Sequence, residues 1–312
     1  MHTTLVDAVD KVLRRAAFFS ESHAIKGLLA LDRLATRYAL PDAQIHDLLE
    51  VNQLLHAPRI DGLLSDGVHW DAASIDDRRL RGMLDGPVFP MAYVAAVEWA
   101  RRRGLRDLVD AYRSAAARNV DFLGHAWTIW CSFLELLPEI ASERQQALFA
   151  ERFAELVAVQ LRAPAPLSLP PVDPPPLQDE VAVRLLALAH PGYLAHTAIT
   201  MAYVVRHGAR LDEPERKNAI HVVHRMAASH ELPSYAYHPA RYEGPVDGRT
   251  FERVVREGLE KGPREVHTLT ALDALHDLWA LGDEPTQRGT LAVAIYLRDL
   301  RVERLAGGER KE

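Results

Sequence analysis

Apolar residues recur at helical spacing along almost the whole chain, and strand-like alternation is nearly absent. This pattern restricts the fold most, because a stripe at i, i+3, i+4 and i+7 makes one buried face only on an α-helix. In the first run Leu5, Val6, Val9, Val12, Leu13, Ala16 and Ala17 follow Thr3 and Thr4, which can cap a helix start. Ser22 caps a second run that ends near Tyr38, and Pro41-Asp42 starts a third that ends near Leu55. Residues 56–74 carry Pro, Gly and Asp and read as a loop. Helices are expected next over 75–84, 90–103, 105–118 and 120–137, then after Pro138 to Leu161. The second half resumes over 179–190, 193–207, 213–230, 248–260, 265–281 and 285–303. The expected fold is all-α, a single large helical domain of about 12–14 helices.

Residues 163–178 read APAPLSLPPVDPPPLQ. Prolines at this density remove backbone donors and favour an extended chain. The expected organisation is an N-terminal helical half (1–162), a Pro-rich connector (163–178) and a C-terminal helical half (179–312), integrated in one domain. Hydrophobic residues at 48% and charged residues at 26% allow a sizeable core. A net charge of -6 with no basic cluster argues against a nucleic-acid partner. Apolar stretches are interrupted before about 18 residues, so no membrane partner is expected. The N-terminus lacks a signal-peptide pattern, and the expected location is cytoplasmic. With Cys131 alone there is no internal disulfide, thiolate zinc cage or cluster held by several cysteines.

Four histidines open, or nearly open, the longest apolar runs: His23 (SHAIKGLLALDRLA), His125 (GHAWTIWCSFLELL), His196 (AHTAITMAYVV) and His267 (VHTLTALDALHDLWAL). Any one of them alone reads as a packed residue or a helix-end partner. Four on buried elements spread along the chain point to a metal site, since neutral imidazole is the commonest protein ligand. A helix N-terminus opposes a cation but keeps imidazole neutral and available. Lys26 shares the His23 face. Asp121, four residues before His125, either fixes the tautomer of a ligating imidazole or offsets the helix dipole. Trp127 and Trp130 either wall an aromatic-substrate pocket or pack as core. Thr200 follows His196 by one turn, and Thr270, Asp273 and His276 follow His267. His221 and His224 have chelating spacing, but their surroundings read as a partly exposed face. Tyr235, Tyr237 and His238 are candidate substrate contacts in a Pro-flanked loop that reads equally as structural. No HExxH, CxxC, Rossmann or P-loop pattern occurs, so no tightly bound nucleotide is expected. Only five lysines occur, and the arginines that carry the other basic charge are given no functional reading.

The order of these landmarks resembles the questin oxidase-like family: an early His before an L-x-A-L-x-x-L helix, supplied by His23 to Leu34, an amphipathic helix leading to Gly124-His125, the segment AHTAIT, and His267 opening an apolar helix before a Gly-Asp turn. The landmarks run from about residue 15 to 300, nearly the whole chain. The resemblance implies a helical oxygenase acting on aromatic polyketides, with ring oxidation or C–C cleavage. Non-haem iron would be held by His23, His125, His196 and His267. Where the family has a carboxylated lysine, this chain has Thr270. Lys26 stands in the same H-x-x-K spacing on the first of these helices and is the candidate substitute, with water the simpler fifth ligand. Dioxygen and a small aromatic substrate are the implied partners, and diffusible NADPH is compatible with this reading. The alternatives are a non-catalytic small-molecule-binding protein, or a metal-free oxidoreductase or cyclase that uses the histidines as acid–base groups.

Overall fold

The computed structural model describes residues 1–14, 23–51, 62–68, 74–86, 88–119, 123–162, 172–176, 179–229, 239–262 and 266–299. These residues form helices and no strand, as the periodicity requires. The first half contributes α1 (Thr3–Leu13), α2 (His23–Tyr38), α3 (Asp42–Val51), α4 (Asp77–Asp85), α5 (Met91–Arg103), α6 (Leu105–Asp110), α7 (Arg113–Arg118), α8 (His125–Leu136) and α9 (Glu143–Leu156). The second contributes α10 (Glu180–Ala189), α11 (His196–His207), α12 (Glu213–Ala228), α13 (Gly248–Glu260), α14 (Val266–Trp279) and α15 (Glu284–Asp299). None is long and apolar enough to cross a membrane. Of the connector, residues 163–171 and 177–178 lie outside the described residues, and 172–176 have no regular structure.

Two expected helices differ from the observed ones for identifiable reasons. The run expected over 105–118 divides between α6 and α7 at Ala111-Tyr112. There the Arg81 guanidinium donates to the Ala111 carbonyl at 3.0 Å and lies 3.9 Å from the centre of the Tyr112 ring. The Tyr112 hydroxyl donates to Asp85 at 2.8 Å. These contacts satisfy groups that a continuous helix would have turned elsewhere. Of the run expected over 120–137, residues 120–122 lie outside the described residues, and α8 starts at His125, directly after Gly124 at φ +65°.

The outer helices start on conventional caps. Ser142 with Gln145 closes a capping box on α9, and Asp212 with Glu215 closes one on α12. Asp76 and Asp247 accept from the first turns of α4 and α13. α13 buries one stripe, Phe251, Val254, Val255, Gly258 and Leu259, and presents its other face to solvent.

The centre is built differently. α2, α8, α11 and α14 form a closed ring, each packing against the next and α14 returning to α2. α14 is buried on nearly every side, as a central helix must be. The ring joins helices from both halves of the chain. Side chains near the N-termini of all four meet, and so do side chains ten residues further along. Two contact layers about 15 Å apart on the same helices require the four to run side by side in one direction.

Candidate metal centre

The shared direction brings the first residues of four helices to one place. His23, His125 and His196 are the first residues of α2, α8 and α11, and His267 is the second of α14. Two of them are delivered by the same local device. Gly124 before His125 and Ala195 before His196 both sit in the left-handed region, at φ +65° and +63°. Neither residue has a side-chain acceptor, so neither helix has a side-chain N-cap. Leu194 is also left-handed, at φ +48°, so two consecutive non-glycine residues adopt a disfavoured conformation immediately before a candidate ligand. Glycine is required at 124 on a second count. A Cβ there would lie 2.2 Å from Thr200 Oγ1, so α8 starts against the first turn of α11.

The four imidazoles stand at the corners of a quadrilateral that follows the helix ring. Ring centroids are 4.5 Å apart for His23–His125, 5.0 Å for His125–His196, 4.4 Å for His196–His267 and 4.5 Å for His23–His267. The diagonal His125–His267 is 6.3 Å. One ligand atom from each of the four lies within 4.8 Å of all the others. The His125 Nε2 is 3.0 Å from His23 Nε2 and 3.1 Å from His196 Nε2. Neighbouring nitrogens that reach a common ion at about 2.1 Å and near a right angle are separated by about 3.0 Å. The donor set therefore fits a metal ion of the kind imidazole favours: zinc, copper, iron or nickel.

Protonation state and tautomer point the same way. His196 Nδ1–H donates to the Tyr193 carbonyl, which leaves Nε2 as the lone-pair nitrogen facing the cluster. Burial, then the neighbouring His23, His196 and Lys26, hold His125 well below the usual imidazole range. Burial, then His267 and Lys26, do the same to His196. Both are thus held neutral, the form that ligates. His196 is 1% exposed, His23 7% and His267 9%, and His125 is half-buried.

A second tier lies one helical turn below. Thr128, Thr200 and Thr270 follow His125, His196 and His267, and each hydroxyl donates into its own helix. Thr128 donates to the Gly124 carbonyl at 3.1 Å, Thr200 to His196 at 2.7 Å and Thr270 to His267 at 3.0 Å. On α2 the corresponding residue is Lys26, which is 0% exposed. The tier contains three hydroxyls and one lysine.

The other expected site residues are placed less centrally. Trp127 and Trp130 are enclosed in the core, with ring planes 19° apart, and Trp130 Nε1 donates to the Val109 carbonyl at 2.8 Å. Asp121, Tyr235, Tyr237 and His238 lie outside the described residues. His276 pairs with the Tyr38 hydroxyl at 3.2 Å instead of joining the quartet. His221 and His224 on α12 are not part of it either. A cleft of about 340 Å³ between α10, α15 and residues 239–242 shares no lining residue with the histidines.

Two arginines belong to a second polar tier on the same four helices. Ten residues beyond the four histidines stand Arg33, Glu135, Arg206 and Asp277. Arg33 binds Glu135 at 2.7 Å and Asp273 at 2.6 Å. Arg206 binds Asp273 at 3.0 Å and Asp277 at 2.5 Å, and His207 contacts Glu135 at 2.7 Å. Burial alone would raise the Glu135 and Asp273 carboxyls. The His207 hydrogen bond and the arginines hold Glu135 well below its usual value, and the two arginines lower Asp273. The repeated spacing of ten was available in the sequence. No family model, curated protein or solved structure matches this chain.

Proposed function

We propose that the protein is a metal-dependent oxygenase, with non-haem iron on His23, His125, His196 and His267, acting on an aromatic polyketide-like substrate by ring oxidation or C–C cleavage. The observation that carries the metal part is the convergence of four histidines from four helices, all offering a ligand atom within 4.8 Å of one another. The order of the motifs along the chain, which resembles the questin oxidase-like family, supports the oxygenase part. An iron ion bound there would supply the one-electron chemistry that dioxygen needs. The chain's own residues hold His125 and His196 neutral and fix the His196 tautomer through the Tyr193 carbonyl. Thr270 directs its hydroxyl proton to the His267 carbonyl, so it does not replace the family's lysine as an anionic ligand. Electrons beyond those in the substrate would come from diffusible NADPH, for which the chain has no dinucleotide motif.

The test is elemental analysis of protein purified anaerobically with iron, alongside His125→Ala and His267→Ala. About one metal per chain is expected in the wild type, with affinity reduced at least tenfold in each variant. Oxygen uptake should depend on an aromatic substrate and disappear in the same variants. Wild-type protein without stoichiometric metal would sink the reading and favour a non-catalytic binding protein.

A further inference from the structure

We propose that Trp127, Trp130 and Tyr112 form a one-electron relay between the histidine centre and the protein surface, with Asp85 taking the proton that Tyr112 releases when it is oxidised. The proposal rests on the metal reading above and adds a route that drains oxidising equivalents from that site when no substrate is bound.

Tryptophan and tyrosine are among the side chains most easily oxidised by one electron, and three buried ones form a line here. Trp127 and Trp130 stand two and five residues after His125, on the face of α8 turned away from the histidine ring. The step across the helix is about one helix diameter, ~10 Å. The two indoles stack, with centroids 5.3 Å apart and planes 19° apart. Trp130 Nε1 donates to the Val109 carbonyl at 2.8 Å, and the Tyr112 backbone N–H donates to the same oxygen at 3.1 Å. That carbonyl joins Trp130 to Tyr112 through two hydrogen bonds. The Tyr112 hydroxyl donates in turn to Asp85 at 2.8 Å, and the Asp85 side chain is 49% exposed. The line starts on the helix that carries His125 and ends in solvent.

The far end is suited to losing an electron and a proton together. Burial pushes the Tyr112 phenol up, so its O–H bond is intact at neutral pH. The Arg81 guanidinium, 3.9 Å from the ring centre, opposes a positively charged ring radical. The proton therefore has to leave, and Asp85 is in place to accept it. Tyr203, buried on α11, lacks this device, because its hydroxyl has no hydrogen-bond partner among the described residues. In the step itself one electron passes from Tyr112 through Trp130 and Trp127 to the oxidised metal, which is reduced by one. The phenol O–H bond breaks, its proton goes to the Asp85 carboxylate, and a neutral tyrosyl radical remains. A thiolate from solution then returns the electron, and Asp85 returns the proton.

The experiment has two arms, both on full-length protein. In the first, metal-free protein is photo-ionised at tryptophan by a laser pulse, and transient absorption follows the radicals. As the tryptophanyl signal decays, a tyrosyl signal should grow at a rate independent of protein concentration. Tyr112→Phe and Trp130→Phe should each remove the fastest phase of that growth. Asp85→Asn should slow it about tenfold, and Tyr203→Phe should leave it unchanged. In the second arm, iron-loaded protein, checked by elemental analysis, is mixed with hydrogen peroxide without substrate and freeze-quenched for electron paramagnetic resonance. A tyrosyl radical is expected in the wild type and not in Tyr112→Phe, where peptide mass spectrometry should find oxidation moved to Trp127, Trp130 and the four histidines. A fastest phase that survives Tyr112→Phe overturns the relay, whatever the metal content. A relay seen in the first arm with no tyrosyl radical in the second overturns its connection to the metal centre and leaves the metal reading standing. If Trp130→Phe does not fold, Tyr112→Phe, which removes a single oxygen atom, still decides. A wild type without stoichiometric metal is identified by the elemental analysis alone and overturns the metal reading and this one together.

Discussion

The same four helices carry two tiers of polar side chains, ten residues apart, and treat charge in opposite ways. At the far tier every buried charge has opposite charges against it. Arg33 is shared by Glu135 and Asp273, and Arg206 by Asp273 and Asp277. At the near tier four imidazoles held close together are accompanied by one lysine and, among the described residues, no carboxylate in the cluster. The far tier is electrostatically complete and fixes how the helices sit on one another. The near tier gathers four imidazoles that could hold one metal ion between them. A stability device and a binding site are thus built from the same helices, and perturbing each should give different readouts.

Asp273 is the sharpest place to break the comparison. It is 4% exposed and accepts from both arginines. Asp273→Asn would leave two largely buried guanidinium groups short of counter-charge, a loss that typically costs about 3–5 kcal/mol. The side chain of Arg33 retains 30% exposure and that of Arg206 16%, which puts the expected cost near 3 kcal/mol. Urea unfolding of metal-free protein measures it. His267→Ala should show the reverse balance, losing metal while the metal-free midpoint moves less. If both variants lowered the midpoint equally, the division of labour between the tiers would be wrong.

Gly124 tests how the near tier is positioned. Gly124→Ala combines an αL alanine, at about 1–2 kcal/mol, with a Cβ driven into Thr200 Oγ1 at 2.2 Å. Overpacking adds about 1–3 kcal/mol. The total expected loss is about 2–5 kcal/mol, with weaker metal binding because His125 moves with the start of α8. Adding Thr200→Ala removes the colliding atoms but not the backbone strain, so the double variant should recover roughly half. A double variant no better than Gly124→Ala would show that the close approach of α8 and α11 is not what demands glycine.

The sequence made the helices readable because their stripes repeat at the helical period, and it singled out the histidines because each opens an apolar run. What it hid were features with no period of their own. The left-handed backbone at Leu194 and Ala195 has no signature, since neither residue type predicts positive φ. The break at Tyr112 depends on Arg81 arriving from α4. The far tier was hidden by composition: with basic charge carried mostly by arginine, Arg33 and Arg206 did not stand out, although their spacing from His23 and His196 matches that of Glu135 from His125.

The effect that separates the tiers within a single experiment is the pH dependence of the metal-free protein. His125 and His196 are held well below the usual imidazole value chiefly by burial, and His276 is lowered to about 4, also chiefly by burial. Their unfolded values lie near 6.5. Below that pH the unfolded chain binds more protons than the folded one, so stability falls as pH falls, by up to about 1.4 kcal/mol per pH unit for each histidine. Glu135 and Asp273 are lowered from unfolded values near 4, so their contribution is intact above pH 4 and is lost only below it. Urea midpoints from pH 8 to pH 3 should therefore show two descending slopes, the first beginning near pH 6.5 and the second near pH 4. His196→Ala should flatten only the first and Asp273→Asn only the second. A single slope beginning near pH 4 would mean that the histidine tier is already protonated in the folded protein, contrary to a site kept neutral for a metal.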